Sequence, residues 1–371
     1  MKVALITLHR VYNYGSVLQA YASQYMLEKN GCECTIIDYI TPQRTFKRLL
    51  LKDSNRFGKI KRMLYFPLKS FSLLIKRYTF NKFINKYLHL TKKRFVTFDD
   101  LLKINSNDYD AFIVGSDQVW NTKYNEGIDK GFFLQFVNNS KKKLALSSSF
   151  GIEKFDNDDG TIIKNYLKDF YAISVREKQS LNLLNSIKIK GECLIDPTLM
   201  VTKDFWKELS SKRLVKDNYL LLILLYNEDN GATNAARKIA DAKGLKLVKI
   251  SWQIFKPDKI DILFSHRSPK DFLSLVQYSS FIVTNSFHCV AFAINFNKQF
   301  IVFKRNEFNN RIQNLLSLFN IDEHLVDESN YLNIYEKNIN FDYVNEVLVS
   351  ERSKASEFIK KNLKRSIINE K

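Results

Sequence analysis

"KVALITLHRVYNYGSVLQAYASQYMLEKNGCECTIIDYI", residues 2–40, decides the fold class. The opening "KVALITL" is an apolar run that reads as a strand, and "YNYGS" reads as a loop. "SVLQAYASQYMLEKNG" then reads as a helix, with Gly31 placed as its C-terminal stop. "CTIIDYI" follows as a second strand. Strand, helix and strand in this order argue for a parallel sheet.

The alternation continues outward. "YDAFIVGSDQVWN" and "KKLALSSSFG" each read as a strand running into polar residues, and "FYAISVREKQSLNLL" passes from strand into helix. "GECLIDPTLM" closes the first half. A second half begins near Asp204, with strands in "YLLLILLYN", "KLVKISW", "FIVTNSF" and "QFIVFK" and a helix in "NGATNAARKIADAKG". The expected architecture is α/β, two Rossmann-like domains facing a cleft. They cover residues 1–203 and 204–340, and a charged helical tail over 341–371 packs back across both.

A chain of 371 residues with 45% hydrophobic content can bury two cores. The longest purely aliphatic stretch, "LLLILL" at 220–225, falls far short of the roughly 20 residues a bilayer requires. "MKVALITLHR" has a short apolar run with no small-residue cleavage site after it, so it reads as the first strand of a cytoplasmic protein. Of the four cysteines, Cys32, Cys34, Cys193 and Cys289, only the first two are close, with no histidine nearby. A tetrahedral metal site needs four ligands, so ordinary reduced thiols are expected.

The net charge of +19 is not evenly spread. Between Gln43 and Arg94 stand 16 Lys and Arg residues against one acid, Asp53, so this segment carries +15. Ile60, Leu64, Leu68, Phe71, Ile75 and Tyr78 recur there at three- and four-residue steps, continued by Phe83 and Tyr87. The spacing predicts a basic helical insert over 43–94, interrupted at Pro67. Three readings stand side by side: helices docked by their apolar side with lysines in water, an anionic membrane surface, or a nucleic-acid backbone. No recognised nucleic-acid motif supports the last. Peripheral contact with the inner face of the plasma membrane is the expectation the second one raises.

Ligands of such sheets bind beyond the carboxyl ends of the strands, so the residues there are the candidates. In the first half these are Asn13, Tyr14, Gly15 and Ser16, then Ser116, Asp117, Gln118 and Trp120, then Ser147, Ser148, Ser149, Arg176 and Asp196. In the second half they are Asn227, Asn285, Ser286 and His288. A guanidinium at Arg176 suits phosphate or carboxylate, or pairs with a carboxylate such as Glu177. Ser286 or Asn285 caps a helix beside His288, so a helix N-terminus and an imidazole share one place.

"NYGSVLQAYA", "FIVGSDQVWN", "ALSSSFG", "SVRE", "DPTLM" and "TNSFHCVAFAINFNKQFIVF", in that order, resemble the polysaccharide pyruvyl transferase family over about residues 3–305. The resemblance implies a fold similar to GT-B glycosyltransferases. It implies transfer of pyruvate from phosphoenolpyruvate to a sugar of a surface polysaccharide or its lipid-linked precursor, forming a ketal and releasing phosphate. Phosphoenolpyruvate is then the donor substrate, with no cofactor and no metal. His288 and Arg176 match the family's donor-site histidine and arginine, and Asn285, Ser286 and Arg311 would join them. Some members carry arginine two residues before that histidine, where this chain has Ser286. The missing cation would be supplied by Lys304, Arg305 or Arg311. Asn13, Tyr14, Gly15, Ser16, Asp117, Gln118 and Trp120 are the expected acceptor side. The rival expectations are a GT-B glycosyltransferase using a nucleotide-sugar donor, and a non-catalytic basic scaffold at the membrane.

Overall fold

The computed structural model describes residues 1–51, 59–137, 141–156, 158–225, 228–252, 256–306 and 309–363. Seven strands form the first sheet: β1 (Lys2–Ile6), β2 (Glu33–Tyr39), β3 (Leu90–Phe95), β4 (Ala111–Val114), β5 (Lys142–Ser148), β6 (Ala172–Val175) and β7 (Glu192–Cys193). Their order is β3-β2-β1-β4-β5-β6-β7, with all pairs parallel. The second sheet holds β8 (Tyr219–Ile223), β9 (Lys246–Ser251), β10 (Ile262–Ser265), β11 (Phe281–Thr284), β12 (Phe300–Phe303) and β13 (Leu325–Val326). It repeats the pattern as β10-β9-β8-β11-β12-β13, again parallel. Both are doubly wound sheets whose order reverses after the first strand, which makes two Rossmann-like domains. The central strands β1, β4, β8, β11 and β12 are buried almost end to end, as helices on both faces require of apolar runs such as "AFIV" and "FIVT".

The sequence reading needs three corrections here. Residues 90–95, counted with the helical insert, form the edge strand β3, which pairs Ile36 with Leu90 and Asp38 with Arg94. Its exposed Lys92, Lys93 and Arg94 suit a sheet edge, where charge discourages further pairing. The insert helix runs from Lys59 to Tyr87 straight through Pro67. Pro67 is exposed, and its ring costs the helix one N–H donor without ending it. The third correction is the face this helix buries. Phe80, Phe83 and Ile84 enter the core, whereas Phe71 and Tyr78 of the expected apolar stripe point outward. The side chains of Ile60, Leu64 and Leu68 lie outside the described residues, as does Asn227.

The chain ends in a helix over Phe341–Leu363. From it Arg352 donates to the carbonyls of Leu199 and Val201 between the sheets and to Asn295 of the second domain. Ser356 reaches Asn30 at the end of the first helix. This helix therefore fastens both domains to their connection. Among the described residues no helix is long and apolar enough to cross a membrane.

Candidate active site

Two helices, one from each domain, begin at the same point. The first helix (Tyr14–Lys29) is capped by Asn13, whose side chain accepts from the Gly15 amide at 2.9 Å. The helix Phe287–Asn295 is capped by Ser286, which accepts from the Cys289 amide at 3.4 Å. His288 is the second residue of its helix and Gly15 the second of the other. A Cβ built on Gly15 would sit 2.0 Å from Cγ of His288. Only glycine allows that approach, so the imidazole lies against the backbone of the facing domain.

Behind the imidazole sits a buried ion network. Arg176 donates through Nη1 to Asp196 Oδ2 at 2.7 Å and through Nη2 toward Asp117 Oδ1 at 3.5 Å, with Nε 3.5 Å from Glu177 Oε2. Asp196 also caps a short turn through the Thr198 amide and hydroxyl, and its Oδ2 lies 3.7 Å from His288 Nε2. Ser16 donates to Asp117 at 2.7 Å. Burial disfavours both carboxylates, but the Arg176 guanidinium together with the nearby imidazole and the hydrogen bonds from Ser16 and Thr198 outweighs it and holds Asp117 and Asp196 below the usual carboxylate range. For His288 burial wins: it lowers the imidazole pKa against the opposing pull of Asp196 and Asp117. His288 is thus neutral near pH 7, and its Nε2 is buried with no hydrogen-bond partner among the described residues.

The site residues expected from sequence divide into three groups. Asn13, Ser16, Asp117 and Gln118 line one small pocket together with Asn285, Ser286, His288 and Arg311. Donor-side and acceptor-side expectations thus meet in one place. Arg305 lines it too, held by Glu228 at 3.1 Å, whereas Lys304 pairs with Asp327 away from it. Asn285 also uses its amide to hold the Leu225 amide and the Glu228 carbonyl.

Arg176 forms the second group. Its side chain is 1% exposed and engaged by three carboxylates, and it lines a neighbouring 230 Å³ cavity rather than the His288 pocket. It is the hub of the network, not an open anion ligand. Arg311 borders that cavity, the His288 pocket and a third groove of 600 Å³.

Trp120 and Tyr14 make up the third group, and neither lines the His288 pocket. Trp120 is 1% exposed, donates to the Phe132 carbonyl and packs between Phe133 and Phe150. The loop after β4 folds back into the core and takes the indole with it. Tyr14 stacks on Phe272 of the second domain at 4.8 Å and 9° and donates to the Arg267 carbonyl. It joins the domains rather than facing a ligand.

Sequence reasoning missed Phe287, whose ring carries the guanidinium of Arg176 at 4.4 Å and that of Arg311 at 5.7 Å. In the sequence it is one apolar residue among several at the start of a helix. Ser147, Ser148 and Ser149 are buttresses, donating to Ile195, Val114 and Glu177.

The sequence matches the polysaccharide pyruvyl transferase family over residues 13–307. The chain belongs to that family. This span carries both capped helices, the whole ion network and His288. No protein with a curated description matches the sequence. Among solved structures, a protein described as a UDP-N-acetylglucosamine 2-epimerase from Listeria monocytogenes is 13% identical with a TM-score of 0.50, covering 96% of this chain and 97% of its own. The UDP-GlcNAc 2-epimerase from Neisseria meningitidis, bound to UDP-GlcNAc, is also 13% identical, with a TM-score of 0.49 and coverage of 98% and 99%. At that identity the likeness to the first shows the fold, and the fold is GT-B.

Proposed function

We propose that this transferase moves pyruvate from phosphoenolpyruvate onto a sugar of a surface polysaccharide or of its lipid-linked precursor. The observation that carries the reading is the unpartnered Nε2 of a buried, neutral His288 at the meeting point of two helix N-termini. Helix N-termini and nearby guanidinium groups favour an anion, and a bound anion would raise the histidine pKa and draw in a proton. Phosphoenolpyruvate brings a phosphate and a carboxylate. Arg311 and Arg305 are the cations that border the pocket in place of the arginine that Ser286 replaces.

In the reaction, one acceptor hydroxyl oxygen bonds to C2 of the enol while C3 takes a proton and becomes a methyl group. A second hydroxyl oxygen bonds to C2 as the C–O bond to phosphate breaks. The two hydroxyl protons end on the methyl group and on phosphate. His288, protonated once the donor is bound, is the group placed to deliver the proton to C3. Asp117, kept ionised and fixed by Ser16, orients an acceptor hydroxyl. The remainder of the glycan lies in the 600 Å³ groove, where Lys123, Glu153, Asp156, Gln179 and Asn310 offer polar groups beside Arg311. The His288 pocket itself holds about 40 Å³ against 600 Å³ for the groove beside it, so admission of the donor would go with a parting of the two domains.

A thermal-shift panel tests the donor. Stabilisation by phosphoenolpyruvate that His288→Ala and Arg311→Ala abolish supports the reading. Stabilisation by nucleotide sugars alone would replace it with glycosyl transfer.

A further inference from the structure

We infer that the outer face of the insert helix (Lys59–Tyr87) is a docking surface for an anionic lipid bilayer. Among the described residues nine large hydrophobic side chains are exposed, and three of them share this face: Phe71 at 60%, Leu74 at 52% and Tyr78 at 70%. Steps of three and four residues place them on one stripe, which exposed Lys82 and Lys86 continue. An apolar stripe flanked by lysines, within a segment of 16 cations and one acid, complements a surface that is apolar beneath and negatively charged at its headgroups. A nucleic-acid backbone would account for the lysines but leaves three exposed apolar side chains without a role.

The opposite face of the same helix explains why it does not turn these residues inward. Ser72 lies 2.9 Å from His266 Nε2, Lys76 sits 4.7 Å over the Trp252 ring, and Phe80 packs on Trp252 and Tyr14. Phe83 and Ile84 are buried in the first domain. The inner face is therefore fully used, and it is used on the second domain's strand ends and on Tyr14, the neighbour of Gly15. Docking by the outer face would hold the lip of the cleft against the membrane, where a lipid-linked acceptor presents its glycan. That last step rests on the pyruvyl-transfer reading, whereas the lipid contact does not.

The test is co-sedimentation of the full chain with vesicles, which needs neither donor nor acceptor. The protein should pellet with phosphatidylglycerol-containing vesicles, release them as salt rises, and ignore pure phosphatidylcholine. Replacing Phe71, Leu74 and Tyr78 with serine, and separately Lys82→Glu with Lys86→Glu, should each weaken binding about tenfold or more. All these side chains are exposed, so the melting temperature and any shift with phosphoenolpyruvate should be unchanged. Failure of the wild type to bind anionic vesicles, or variants that bind as well as it does, would overturn the inference. So would variants that change self-association in sedimentation, or binding to an oligonucleotide, while leaving vesicle binding intact.

Discussion

Gly15 and His288 lie in different domains, yet a single methyl group on Gly15 would overlap the His288 ring, at 2.0 Å from Cγ. The closed cleft depends on the absence of a side chain at this position. Gly15→Ala should keep each domain folded but hold the domains apart or displace the imidazole. A displacement of about 1 Å is expected to lower turnover on the order of 100-fold. Circular dichroism and steady-state phosphate release would read both halves of this prediction.

Arg176 and Arg311 should separate cleanly when truncated. Removing Arg176 leaves Asp117 and Asp196 buried without their cation, at a cost of about 3–5 kcal/mol. Arg311→Ala removes a pocket-lining cation and should weaken phosphoenolpyruvate binding with little loss of stability. Denaturant midpoints and donor affinity, measured on both variants, check the contrast. Equal destabilisation by the two would contradict it.

Stability should respond to pH through His288. Burial lowers its folded pKa from 6.5, so below about that value the unfolded chain takes up a proton that the folded one refuses. The contribution of His288 is complete above pH 6.5 and is lost as pH falls toward the folded value. His288→Gln should remove this component of the acid limb in a pH series of urea melts.

Tyr14 serves as a joint between the domains. Tyr14→Phe keeps the stack on Phe272 and loses only the bond to the Arg267 carbonyl, about 1 kcal/mol. Tyr14→Ala removes the ring as well and should cost about 3 kcal/mol or more. Calorimetric unfolding would also reveal whether the two domains melt separately once the joint is gone.

Much of the fold was legible because parallel strands buried on both faces leave continuous apolar runs, as in "AFIV", "YLLLI" and "FIVT". β3 was not, since an edge strand reading "LTKKRF" carries the charges of an exposed helix. The two-residue β13 is too short to leave a period. The position of His288 at a helix start just after a strand was legible from the apolar runs on either side of it. The role of Arg176 was not, because Asp196 lies 20 positions away and Asp117 lies 59, and only the folded sheet brings them to it. The insert misled for a physical reason: its apolar period is real, but two faces of the helix carry apolar side chains, and periodicity cannot say which face meets the core.

The central claim is that phosphoenolpyruvate binds at His288 and charges it. Calorimetric titration of phosphoenolpyruvate near pH 7, repeated in buffers of different ionisation enthalpy, tests this most directly. The account predicts binding with uptake of a proton, uptake lost in His288→Gln, and affinity lost in Arg311→Ala. Binding with no proton uptake, or no binding at all by a folded wild-type protein, would contradict it.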